Sequence, residues 1–120
     1  MEYLIMIYED AAAFAKRNSP EAAQLFGAYR AYSDALREAG VMVGGAPLQP
    51  PQTATTVRLR NGKRQVQDGP IADTKEQLGG YYLIDVPNLD AALDWAARCP
   101  AASYGTVEVR PLMAKTAPLG

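Results

Sequence analysis

Strand, helix and strand follow one another near each end of this chain, with a hairpin signal, Asn61-Gly62, between the two halves. That ordering limits the possible folds more than any single motif does. Tyr3-Leu4-Ile5-Met6-Ile7-Tyr8 is a nearly continuous apolar run closed by Glu9-Asp10, the pattern of a strand covered on both faces or lying at an interface. A helix starts at Ser19, a capping residue, with Pro20 in the first turn, Glu21 near the positive dipole end and Gly40 as the stop. Ala22, Leu25, Phe26, Tyr29, Tyr32 and Leu36 form its apolar stripe at spacings of three and four. Val41-Met42-Val43 begins a second strand interrupted by Gly44-Gly45, and three prolines keep the stretch from Pro47 to Gln52 out of a central ladder.

Residues 53–60 and 63–67 flank Asn61-Gly62, the dipeptide that best fits a two-residue type I′ turn. Asp68-Gly69-Pro70 is a stiff turn, because glycine takes positive φ, proline fixes its own φ and Asp68 bonds the backbone ahead. One helical turn is expected at Thr74–Gln77, then a strand from Tyr81 to Val86. Asn88 opens a second helix with Leu89, Ala92, Leu93 and Ala96 inward, Pro100 ends it, and Gly105 to Pro111 is the last strand.

These elements predict an α+β fold, a ferredoxin-like sandwich with both helices on one sheet face. Residues 1–113 read as a single domain and 114–120 as a C-terminal tail; 48% hydrophobic content in 120 residues suffices for one core. Two helices leave the second face bare, with Tyr3, Ile5, Ile7, Tyr82, Ile84, Val107 and Val109 available to point there or share it. A symmetric homodimer with sheets face to face is the expected solution.

Net charge is −1 with both signs interspersed, so the chain lacks the basic field that recognises nucleic acid or anionic lipid. No apolar stretch nears the ~20 residues of a membrane span, and Met1-Glu2-Tyr3 does not begin a signal peptide, which predicts a cytoplasmic protein. Cys99 is the single cysteine and there is no histidine, so disulfides, zinc sites and histidine triads are excluded and no cofactor is expected.

Several residues carry candidate chemistry. Asp73 and Glu76, three apart, share a face if the stretch is helical, and paired carboxylates can hold one proton for acid or base work. Alternatively Asp73 is a helix cap and Thr74-Lys75-Glu76 a solvated turn. Tyr81 and Tyr82 alternate across a strand, one for the core and one with a hydroxyl for a ligand. Glu108 and Arg110 share a face of the last strand, where Arg110 either meets solvent or grips a carboxylate ligand in a cavity. Asp73, Glu76 and Arg110 are expected to converge on one pocket floored by Tyr81 or Tyr82, with the Asp68 turn as its wall. Cys99 reads as a small buried apolar residue.

Asp68-Gly69-Pro70, the acidic residue at 73, Thr74-Lys75-Glu76 and Gly79-Gly80-Tyr81-Tyr82 together resemble the YCII-related proteins of the DGPF subgroup. The resemblance extends over nearly the whole chain and implies a dimeric α/β barrel. In that subgroup position 73 is more commonly glutamate, so Asp73 shortens the reach by one methylene. Some members carry a histidine–aspartate pair proposed as catalytic; without histidine that pair does not transfer. Members of the subgroup often occur beside extracytoplasmic-function sigma factors, which implies a regulatory setting. Two functions follow as expectations: a small-molecule-binding dimer in an accessory or regulatory role, or a cofactor-free lyase, isomerase or dehalogenase-like enzyme acting on a small organic acid with Asp73 or Glu76 as base.

Overall fold

The computed structural model describes residues 1–114; the tail expected at 114–120 lies outside them apart from Ala114. The elements are β1 (Glu2–Glu9), α1 (Ala11–Ala15), α2 (Ala22–Glu38), β2 (Met42–Pro47), β3 (Thr55–Arg60), β4 (Lys63–Asp68), β5 (Gln77–Asp85), α3 (Leu89–Arg98) and β6 (Thr106–Pro111). Single 3₁₀ turns occupy Lys16–Asn18, Pro51–Thr53 and Pro100–Ser103. β2, β5, β1 and β6 lie side by side in that order, antiparallel throughout, and β3 and β4 form a separate two-stranded sheet. With the hairpin set aside, strand, helix and strand occur twice, as the sequence pattern predicts. Among the described residues the main sheet is open, with β2 and β6 as its edges, and no barrel closes.

Alternation along β1 sorts the sheet's two faces. Tyr3, Ile5, Ile7 and Glu9 are buried, whereas Leu4, Met6 and Tyr8 are half-buried on the opposite side. Ile5 stands between Tyr82 of β5 and Val109 of β6 and packs with Ile84 against Tyr32 and Leu36 of α2 and Ala92 and Ala96 of α3. Ile5, Leu36 and Ile84 are wholly enclosed, and each contributes about 1.5–3 kcal/mol by leaving water. Tyr82 meets the Tyr32 ring edge-on at 5.2 Å. Cys99 closes this core beneath α3, and burial raises its thiol pKa to about 11.

The strand residues expected to point to the bare face or to share it therefore belong to the helix-covered one. The open face instead pairs Leu4 with Leu83 and Met6 with Tyr81 across β1 and β5, and adds Glu108 and Arg110 on β6. On α3, Leu89 and Leu93 face outward, not inward. The small Ala92 and Ala96 let the helix lie close to the sheet, and the packed arc is centred on Ala92, Trp95, Ala96 and Cys99, so Leu89 and Leu93 fall at its outer edge. No described helix is long and apolar enough to cross a membrane.

Asn61 and Gly62 have φ of 52° and 75°, the two positive values a type I′ turn requires. Their hairpin extends away from the body, every residue of β4 is exposed, and the overall extents are 48 × 46 × 18 Å. The radius of gyration is 16.2 Å, against about 14 Å for a compact domain of this length.

Candidate functional site

The C-terminal half of α2 is pinned to the sheet by Tyr32 and Leu36, while Leu25 and Phe26 in its first turns stay clear of the core and Phe26 is half exposed. The gap beneath that raised half is a cleft of about 320 Å³ over β2, β5 and the end of β1. Ile7, Phe26, Tyr29, Met42 and Tyr82 give it an apolar interior. Its charged groups are Glu9 against Arg17, Arg30 and Arg37.

Glu9 is the buried charged residue of the described chain, 3% exposed. Its carboxylate sits in the inward phase of β1, where Tyr3, Ile5 and Ile7 precede it, and a buried carboxylate survives only with partners. Arg17 supplies one, Nη2 lying 3.2 Å from Oε1. Tyr104 supplies the second, its hydroxyl donating to Oε2 at 3.3 Å. Arg17 is itself fixed, since it donates to the carbonyls of Gly79, at 3.0 Å, and Leu48, and its guanidinium lies 4.8 Å above the Phe14 ring. The turn that returns Arg17 to Glu9 begins with Asp10, whose carboxylate accepts from the Ala13 amide at 2.9 Å and caps α1.

From Glu9 the network continues outward. The Tyr104 and Tyr29 hydroxyls are 2.5 Å apart. Burial raises both phenols, Tyr104 to about 12, so both stay protonated at neutral pH and remain donors. Deeper in the cleft the Tyr82 hydroxyl, also raised by burial, bonds Ser33 Oγ at 2.8 Å. Arg37 pairs with exposed Asp34 at 3.2 Å, and Arg30 makes no ion pair or hydrogen bond among the described residues. The cleft thus offers an apolar slot, protonated hydroxyls and more guanidinium than carboxylate, an arrangement suited to a flat anion. Among the described residues no three acidic or cysteine side chains gather as metal ligands would.

The structure places the residues singled out from sequence in different regions. Tyr82 and Tyr81 contribute to the cleft wall, on alternate faces of β5 as the pleat requires. Asp68, Asp73, Glu76 and Arg110 do not. The helical turn expected at Thr74–Gln77 does not form, and a bent connection leads into β5 at Gln77: Thr74 Oγ1 donates to the Glu76 carbonyl at 2.7 Å, and Gln77 Nε2 donates to the carbonyls of Ala72 and Thr74. Asp73 therefore caps nothing and is exposed. Glu76 accepts from Thr106 Oγ1 at 2.6 Å in a shallow groove with Asp10, Lys75 and Glu108. Arg110 pairs with Glu108 at 2.7 Å, its side chain 71% exposed. Asp68 ends β4 on the hairpin.

The reading from sequence missed Glu9, Arg17, Tyr29, Ser33 and Tyr104. Glu9 alone carried a signal, as a charge in the buried phase of an apolar strand. Arg17 and Tyr104 lie in short 3₁₀ and turn segments without periodicity.

The YCII-related domain profile matches residues 1–115. Uncharacterized protein R00369 of Rhizobium meliloti (strain 1021) is 40% identical over 114 residues, which cover 93% of this chain and 92% of that one. Among solved structures, 5-chloro-2-hydroxyhydroquinone dehydrochlorinase (TftG) from Burkholderia phenoliruptrix AC1100, in complex with 2,5-dihydroxybenzoquinone, superposes with a TM-score of 0.51 over 94% of both chains. At 17% identity that likeness is one of fold. On the match to its profile and to the Rhizobium protein, the chain belongs to the YCII-related domain family.

Proposed function

We propose that this protein binds a small, planar, acidic molecule, a phenol, hydroxyquinone or aromatic acid, in the cleft under α2, in an accessory or regulatory role. The observation that carries the reading is the charge balance of an apolar slot: three arginines, one of them unpaired, face a single carboxylate that Arg17 already neutralises. The ligand's ring lies between Phe26, Met42 and Tyr82, and its oxyanion meets Arg30 and Arg37. The ligand in the TftG complex, 2,5-dihydroxybenzoquinone, is of this class. The subunit forms one half of a ferredoxin-like dimeric barrel, joined across the open sheet face of Leu4, Met6, Tyr81 and Leu83.

Calorimetric titration with 2,5-dihydroxybenzoquinone and with benzoate tests this. Saturable binding at one site per chain is expected, weakened about tenfold or more in Arg30→Ala, the range of a lost charge-assisted contact. Arg110→Ala and Asp73→Ala keep wild-type affinity. Absence of saturable binding, or an unchanged affinity in Arg30→Ala, refutes the assignment.

One observation favours the enzymatic alternative, a cofactor-free acid/base activity of the lyase or dehalogenase-like kind. Glu9 is buried at the cleft wall and linked through Tyr104 to the outer surface, where a base needs both a ligand and an outlet for the proton. In that reading Glu9→Gln abolishes turnover of a bound chlorinated hydroquinone and leaves its binding intact.

A further inference from the structure

The β3–β4 hairpin stands apart from the main sheet, and its register separates two unlike faces. Val57 lies opposite Val66 and Leu59 opposite Arg64, so Val57, Leu59 and Val66 share one face, with Arg64 at its tip end. All three are more than half exposed. The other face carries Arg58, Arg60 and Lys63. A lone two-stranded ribbon is marginal in water, and an amphipathic one without a cover is an interaction element. Its charge names the cover. Four cations against Asp68 give residues 55–68 a net charge of +3, and with −1 for the whole chain the remainder carries −4. The groove beside β6 joins both requirements, combining Tyr8 and Val107 with Asp10, Glu76 and Glu108; Lys75 is the one cation in its lining, and Arg110 pairs with Glu108 from outside it.

We propose that the hairpin is a docking arm that seats on this acidic groove in a second copy of the chain, whose own arm returns the contact. Strands of six residues reach about 20 Å, enough to cross to a neighbouring subunit. Reciprocal contacts of that kind are what a two-fold axis generates. A polyanion or a membrane surface would meet the cations of one face and leave Val57, Leu59 and Val66 in water. The inference rests on the proposed dimer: the groove adjoins the open sheet face at Tyr8 and Glu108, whereas the hairpin lies outside the main sheet.

Sedimentation equilibrium at micromolar concentration separates the two. The wild-type chain is expected at twice 12.9 kDa. Val57→Asp with Leu59→Asp raises the dimer dissociation constant about tenfold or more by placing carboxylates in an apolar contact, with an unchanged far-UV spectrum. Arg60→Glu with Lys63→Glu weakens association, as does Glu76→Lys with Glu108→Lys. Mixing the two reversed proteins restores it, a result that misfolding does not produce. A monomeric wild-type chain overturns both the arm and the sheet-face dimer. A wild-type dimer indifferent to all the arm variants overturns the arm alone, as does arm-dependent binding to a DNA oligonucleotide or anionic vesicles with the dimer unmoved.

Discussion

Gly79 leaves open the space that Glu9 fills: a Cβ at position 79 would overlap Glu9 Oε1 and crowd Arg17 Nη2. β5 carries an extra residue at this point, because β1 and β5 shift register between Ile7 and Tyr8. The irregularity turns the Gly79 carbonyl to Arg17 and to the Leu48 amide. Gly79→Ala therefore costs about 1–3 kcal/mol, an overpacking penalty, and drives the carboxylate out of its site. Urea unfolding measures the loss; an unshifted midpoint would mean that Glu9 swings aside freely.

Removing one partner of a buried pair costs more than neutralising the other. Arg17→Met leaves Glu9 charged in an apolar enclosure, an expected loss of about 3–5 kcal/mol. Glu9→Gln keeps the Tyr104 and Arg17 contacts in neutral form and leaves the guanidinium, 17% exposed, partly hydrated, so the loss is smaller. Denaturation of both variants at neutral pH checks the order, and an inverted order would contradict it.

Alkali should unfold this chain early. Burial raises the Cys99 thiol from 9.0 to about 11 and the Tyr104 phenol from 10.0 to about 12, with Tyr29, Tyr32 and Tyr82 also raised by burial. Below pH 9 both states hold these protons and stability is at its full value. Above it the unfolded chain releases protons that the folded chain retains, so stability falls, by up to about 1.4 kcal/mol per pH unit for a fully buried group. Urea midpoints from pH 8 to 11 should decline, and Cys99→Ala should make the decline shallower between 9 and 11.

Gly62 has φ of 75° with open space around its missing side chain, so Gly62→Val suffers backbone strain alone, about 1–3 kcal/mol. Since the hairpin adds little to the core, that strain is felt locally. Amide exchange across residues 55–68 should accelerate while the global midpoint stays put; a lowered global midpoint would show that the arm folds with the body.

Where one local rule governs a segment, its sequence could be read directly. Asn61-Gly62 admits few alternatives, Asn88 caps α3 by accepting from the Ala91 amide, and Gly40 ends α2 at φ 71°. The cleft obeys no such rule. It depends on where a helix leaves the sheet, on a one-residue register shift at Gly79, and on Tyr104 reaching Glu9 across 95 positions of sequence. Phe26 belongs to the same apolar stripe as Leu36, and periodicity cannot tell which end of a helix is packed. Asp73 and Glu76 drew notice through their spacing, and that spacing means nothing in a segment that is not helical.

Cys99 gives the molecule a built-in clock. The thiol is 2% exposed in a chain with no other cysteine, and its raised pKa keeps it in the unreactive protonated form near neutrality. An alkylating reagent can modify the chain only when α3 and the β1 sheet part. Each labelled molecule thus records an opening of the core, so mass spectrometry of the intact chain timed against reagent exposure reads the open population at low reagent and the opening frequency once alkylation outpaces reclosing, without denaturant.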